Sequence, residues 1–513
     1  MKTCVVKRRI HTSESSAGTA ITINLPPGFG TPKAFLVSYI TNSATINTFD
    51  FSQNEPCMGF GVAGTSGTGA GGNTGACIYI GSRNKVATSV TRRGASNTAR
   101  VILAASSGAT NFYEVPATTV VFGTDTITFT PTARTPETNI HLDCVFTVFT
   151  GDDLSVGCGF STQSQTNGGS RSLTGLTFAP DFIFFGYAGV GTASINQTTE
   201  NRFGIGAAQR TNNVSYFTAF RQDGTVTTQQ VYTHQNSGVI NLAISNTSGS
   251  VVNSTLTSFD AGGWTITSGG SASNDLYIYL ALKSASGDDF QLDQLSSSTS
   301  TGLVYTKPTS PSGRLGAVFG TLVGATTSGT TANATPSCES YNIFAGTLGT
   351  SPLIDGIGTI QTNTAGTAVT GTNTFFLRMN PGDIIYDTTY TSIGTISAVT
   401  SNTALTLSAN ASKTLAAGSS FVYTTYGQYT LSHGVRDGSA AATDIFQRVS
   451  NSLNLIYSSA GTTSVLVDAS LSNFDSRPGY EFNYGTVNAT ARLGWIASFF
   501  DTERSRRPNR NLV

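Results

Sequence analysis

Charge is scarce in this chain. Asp, Glu, Lys and Arg make up 11% of its 513 residues, against roughly a quarter in an ordinary soluble domain. The 28 basic and 28 acidic residues cancel to a net charge of zero. A protein that grips phosphate needs a basic surplus, so no nucleic-acid partner is expected. Histidine is scarcer still, with His11, His141, His234 and His433 spread along the chain. The six cysteines (Cys4, Cys57, Cys77, Cys144, Cys158 and Cys338) show no C-x-x-C spacing, and no G-x-S-x-G or H-E-x-x-H string occurs. A metal site and a nucleophile–base pair both lack their usual signatures. The chain therefore reads as non-enzymatic, without catalytic residue, metal or cofactor. No run approaches the roughly 20 apolar residues that a spanning helix needs, so no membrane partner is expected. The opening MKTCVVKRRIHTSE is broken by Lys7, Arg8 and Arg9 and forms no apolar signal core. Synthesis in a cytoplasm is the expectation.

What is abundant is turn and strand chemistry. Gly numbers 56, and much of the rest is Ser, Thr and Asn, which supply turns and polar strand faces. The 30 Phe and 18 Tyr are spread throughout and call for a buried core, which argues against disorder. The balance predicts an all-β protein of many short strands.

Self-similarity then sets the organisation. Phe29-x-x-Pro32-Lys33-Ala34-Phe35-Leu36-Val37 is matched by Phe178-x-Pro180-Asp181-Phe182-Ile183-Phe184. Met58-Gly59-Phe60-Gly61 is matched by Arg202-Phe203-Gly204-Ile205-Gly206, with a weaker echo at Leu431-Ser432-His433-Gly434-Val435. A late hairpin recurs as Phe122 to Phe129, Phe259 to Ile266 and Phe474 to Phe482, and the register places Phe122 with Phe259 and Phe146 with Tyr279 or Leu280. Each copy closes on an apolar strand, at Leu142–Phe146, Leu276–Leu282 and Leu493–Phe499. The interval from Phe122 to Phe259 is sandwich-sized. The next interval is longer by about the length of 350–427, where strict Thr/Val/Ile alternation and Gly or Asn turns describe a small barrel. The expected architecture is three tandem β-sandwich, jelly-roll-like domains: 1–151, 152–286, and 287–349 with 428–513. The third carries the barrel 350–427. Ser296–Gly302 reads as the linker between the second and third copies.

The runs Pro180-Asp181-Phe182-Ile183-Phe184-Phe185 and Phe203-Gly204-Ile205-Gly206, closed by Gly263-Trp264 and Tyr277–Leu282, resemble a β-sandwich repeat of tailed-bacteriophage virion proteins. The Thr359–Tyr423 segment is similar to a small barrel spliced into phage tail and capsid-associated proteins. Together they cover nearly the whole chain. The resemblance implies a structural subunit of the head, neck (collar) or tail exterior, located in the virion, with itself and other virion proteins as partners. It carries over no catalytic residues. The second class weighed is a tail-fibre or receptor-binding protein holding host glycans.

Individual motifs are read conservatively. Gly67-x-Gly69-x-x-Gly72 lacks the strand-then-helix frame of a dinucleotide site and reads as a loop. The pairs Asp152-Asp153 and Asp288-Asp289 follow closing strands, as junction caps rather than paired catalytic acids. Trp264 and Trp495 read as core residues. Few Lys or Arg stand along strands to blunt open sheet edges, which predicts a homo-oligomer, a trimer or a ring. Met1–Ser16 and Asp501–Val513 are read as docking arms, through Lys7, Arg8 and Arg9 at one end and Arg504, Arg506, Arg507 and Arg510 at the other. Cys4, beside the basic cluster, is the candidate for a disulfide between subunits.

Overall fold

A computed structural model covers the strands and turns of residues 1–501. Residues 12–17, 43–49, 51–55, 66–74, 83–90, 106–110, 135–140, 192–195, 224–229, 244–250, 307–313, 327–332, 437–443, 473–479 and 502–513, with several gaps of one to five residues, lie outside the description. The described residues are nearly all β, with one short 3-10 turn at Ala117–Thr119 and no α-helix.

Three large sheets dominate, each built from six strands of one stretch of chain. The first uses β1 (Lys2–His11), β2 (Ala34–Asn42), β3 (Cys57–Gly64), β4 (Gly75–Ser82), β5 (Thr91–Ala95) and β6 (His141–Thr150). The second uses β7 (Ser155–Thr162), β8 (Phe182–Gly191), β9 (Glu200–Gln209), β10 (Val214–Asp223), β11 (Gln230–Asn236) and β12 (Asp275–Lys283). The third uses β13 (Phe290–Ser296), β14 (Arg314–Leu322), β15 (Tyr341–Thr347), β16 (Gln428–Arg436), β17 (Asp444–Ser450) and β18 (Leu493–Asp501). All three have the spatial order first, sixth, second, third, fourth, fifth. The register repeats as well: Ala34, Phe182 and Ala317 pair with Phe149, Leu282 and Phe499 in their closing strands. Phe146 and Tyr279 accordingly hold the same place, and Phe122 and Phe259 stand opposite Ile127 and Trp264 in matching hairpins.

Each large sheet faces smaller sheets across an apolar core of its own. In the second unit, Ile183, Phe185 and Tyr187 meet Leu173, Trp264 and Ile266. The opposite faces of all three large sheets share one further core, in which Phe60 meets Phe319, Phe184 meets Phe319 and Trp495, and Phe149 meets Phe499. Burial on both faces explains why these strands read as continuous apolar runs.

The units also exchange strand segments in a cycle. The connection between the second and third strands of each large sheet reaches the fifth strand of another. Gln197 pairs with Arg93, Asn333 with Tyr232, and Asp50 with Gln447. Counted from the shared register, Arg93, Tyr232 and Gln447 occupy one position repeated three times. The three units thus stand in a quasi-three-fold ring, and the fifth strand of each large sheet takes a short pairing from another unit.

Two readings of the third copy change. The Leu431–Val435 echo lies on β16, the counterpart of β4 and β10, whereas the true partner of β3 and β9 is β15. Short Gly-containing apolar strands look alike in sequence, and only pairing separates them. Ser296–Gly302 follows β13 and is a connection within the third unit. The junction between second and third units lies instead between Lys283 and Phe290. Ser and Thr mark turns of every kind, so composition did not distinguish the two.

Between β15 and β16 an eight-stranded sheet runs from Leu353 to Thr424. Ile360, Val369, Phe376, Ile385, Leu405 and Phe421 fill its own core. Thr347 N donates to Gly427 O (2.7 Å), so the segment leaves and re-enters the third unit at one point.

Candidate functional site

The chemistry-bearing side chains gather at the seams between units rather than in one catalytic cleft. β1 lies along β6 over its whole length and also touches β14, β15 and β18 of the third unit. Its alternation sends Cys4, Val6 and Ile10 into the first unit's core and Val5 toward the shared core. Lys7 and Arg9 share the face of Val5, and both are buried. Arg9 grips Asp143 through both ends of its guanidinium, Nε to Oδ1 at 2.9 Å and Nη2 to Oδ2 at 2.7 Å. Lys7 Nζ stands 3.4 Å from Asp143 Oδ1 and 5.9 Å from the Tyr429 ring of the third unit. Burial pushes the Lys7 ammonium down to about 8 against the pull of Asp143, because removing a charge from water favours its neutral form.

The arm reading of this segment is therefore corrected. Lys7, Arg8 and Arg9 are buried in a ten-residue strand, and the apparent charge run conceals two alternating faces. Cys4 is 4% exposed inside the first core, out of reach of another subunit's thiol. Burial also raises the Cys144 and Cys158 thiols, the latter to about 12, which keeps them protonated and unreactive. Arg504, Arg506, Arg507 and Arg510 lie outside the described residues, as do Gly67, Gly69 and Gly72.

The acidic pairs sit at junctions. The Met1 ammonium is buried 3.1 Å from Asp153 Oδ1 and 3.7 Å from Asp289 Oδ2. The residue that opens the second strand handles each junction with opposite chemistry. Lys33 Nζ donates to the carbonyls of Asp152 and Leu154 (3.2 and 2.9 Å). Asp181, at the matching place, instead accepts from Ser284 N (3.2 Å) and Arg210 (2.5 Å).

Two buried histidines were passed over in the sequence because no catalytic partner stands at motif spacing. His433 Nδ1 lies 3.2 Å from Gln447 Nε2. Gln447 in turn donates to Cys57 O (2.8 Å) and accepts from Thr41 Oγ1 (3.1 Å), both in the first unit. His234 Nε2 lies 3.1 Å from Asn236 Oδ1, and Asn236 donates to Gln294 of the third unit (3.3 Å). Burial lowers both histidines to about 4. Neither faces a nucleophile, and among the described residues no three of His, Cys, Asp and Glu gather as metal ligands. No described helix is long and apolar enough to cross a membrane.

A half-open cleft of about 480 Å³ lies where the first unit meets its junction, lined by Lys2, Phe29, Thr31, Lys33, Thr65 and Asp152 among others. Lys33 is engaged by the backbone there, so the cleft is polar but not strongly charged. No known protein family matches the chain, and no curated protein matches it.

Proposed function

We propose that this chain is a non-enzymatic structural component of a tailed-bacteriophage virion, at the neck or collar, tail or head exterior. In this reading its sheet pairs are three tandem jelly-roll-like β-sandwich domains, and the Leu353–Thr424 sheet is an inserted small barrel. The observation that carries the reading is the closed ring. One chain links its large sheets in a cycle through short pairings on their fifth strands, fuses three units on a shared core, and leads a separately cored module out through one narrow stem. Such a body suits load-bearing and display. Its partners are other virion proteins and further copies of itself. Among the edges open to copies is strand Gly302–Thr306 of a smaller sheet, where Leu303 and Val304 are 66% and 40% exposed. An exposed apolar edge is a template for β-pairing. The receptor-binding reading draws on the polar cleft at Lys2 and Asp152, whose size suits a sugar.

Mass spectrometry of purified particles, with imaging of a label on the barrel, tests the proposal. The account expects a fixed copy number per particle and a label on the exterior. Absence from washed particles contradicts it. Particles that lack the protein yet keep their shape and lose only host attachment favour the receptor-binding reading.

A further inference from the structure

Lys7, Phe160 and Gln294 occupy one repeated position on β1, β7 and β13, and Tyr429, Ala76 and Tyr216 one repeated position on the fourth strands. They show that the three seams differ in chemistry. The seam between first and second units is apolar near Gly64, where Val156 and Cys158 approach, and carries Arg93 rather than an amide at the Gln447 position. The two seams of the third unit each hold a buried histidine next to an amide that crosses to another unit.

His433 sits on β16 at the place taken by Ile80 and Phe220 in the other units, and its ring lies edge-on to Phe220 at 6.1 Å. The Gln447 amide is fixed in orientation, because Cys57 O can only accept and so must face Nε2. Its second N–H therefore points at His433 Nδ1, which must be the acceptor of a neutral ring. Protonation at Nδ1 sets donor against donor. Gln447 then has to turn, which breaks its 2.8 Å bond to Cys57 O and leaves that buried carbonyl the longer one from Thr41 Oγ1 (3.5 Å). His433 Nε2 has no hydrogen-bond partner of its own. No charged group contributes to the lowering at His433, which is burial alone. Tyr341, opposite it in the register, stays protonated far above neutrality. Arg448, next to Gln447 on its strand, points to the other face, toward Asp468.

At the other seam His234 stacks on Tyr216 at 6.0 Å, and its buried Nδ1 lacks a partner. Asp293 acts on Tyr216 there. His234 Nε2 donates to Asn236 Oδ1, and protonation at Nδ1 leaves that bond and the Asn236–Gln294 contact in place, so this seam holds no comparable switch.

We propose that the seam between the third and first units is acid-sensitive: protonation of His433 turns the Gln447 amide away from Cys57 and loosens that seam, and leaves the first–second seam closed. The sign is that of groups whose folded affinity for protons is depressed. The neutral forms are accommodated above about pH 6.5, and the tightness of the seam is lost as pH falls from there toward 4. The inference does not depend on the virion reading.

Hydrogen exchange of the full chain, read by peptide between pH 7 and 4.5 with times corrected for intrinsic rates, tests it. Peptides of β17 and Cys57–Met58 are expected to gain opening by on the order of 50-fold, while β4, β7 and β13 stay protected. A His433→Phe variant, which copies the Phe220 side chain, should flatten that pH dependence. Simultaneous loss of protection at all three seams, no opening down to pH 4.5, or an unchanged midpoint in the variant each overturns the proposal. If the variant does not fold, the comparison between seams in the unaltered chain still decides.

Discussion

Lys7 stands where the other units carry Phe160 and Gln294, so the fold itself does not require a cation there. A buried ion pair often contributes little net stability, whereas removing one partner leaves a charge uncompensated. Asp143 is shared by two buried cations, Lys7 and Arg9. Asp143→Ala strands both, and urea denaturation should show a loss of about 3–5 kcal/mol. Lys7→Met leaves the Arg9–Asp143 pair intact and fills similar volume, so its cost should stay below about 1.5 kcal/mol. Lys7 binds its proton less tightly in the folded state, near 8, than in the unfolded chain, near 10.5. Stability therefore rises with pH across that window as the penalty on the buried charge disappears. The stability of the parent relative to Lys7→Met should rise from pH 8 to 10.5. A constant difference would mean that Lys7 is not desolvated.

At the scale of elements, legibility followed burial. Strands such as FIFFGYAGV and LYIYLAL are covered on both faces and announce themselves as apolar runs. Trp264 and Trp495, read as core residues, are fully buried. β1 was hidden because Lys7 to Arg9 masks an alternation of Val5, Lys7 and Arg9 against Cys4, Val6 and Ile10. The exchanged segments Asn196–Gln197 and Asn333–Thr335 are short and polar, and nothing local distinguishes them from loops. The seam histidines were seen but not understood, because their partners lie far away in sequence: Gln447 reaches Cys57 across 390 positions. The element reading makes paired predictions for solubility and far-UV circular dichroism. Replacing 348–427 by a short Gly linker should leave the body folded, since Thr347 and Gly427 already touch. Deleting 1–11 should unfold the first unit, because β6 loses its partner along its full length.

For the whole molecule, the fifth strands of the large sheets take short pairings from other units of the same chain, and pairing between such distant copies cannot be read from local pattern. The central claim is that three units share one core and stand or fall together, while the barrel is separate. Urea unfolding at pH 7.5, followed by pulsed hydrogen exchange and resolved by peptide, tests this most directly. β3, β9 and β15 from the three units should lose protection at one common urea concentration, because Phe60, Phe184 and Phe319 lock a single core. The Leu353–Thr424 sheet should have its own midpoint. Three well-separated midpoints for β3, β9 and β15 would contradict the account.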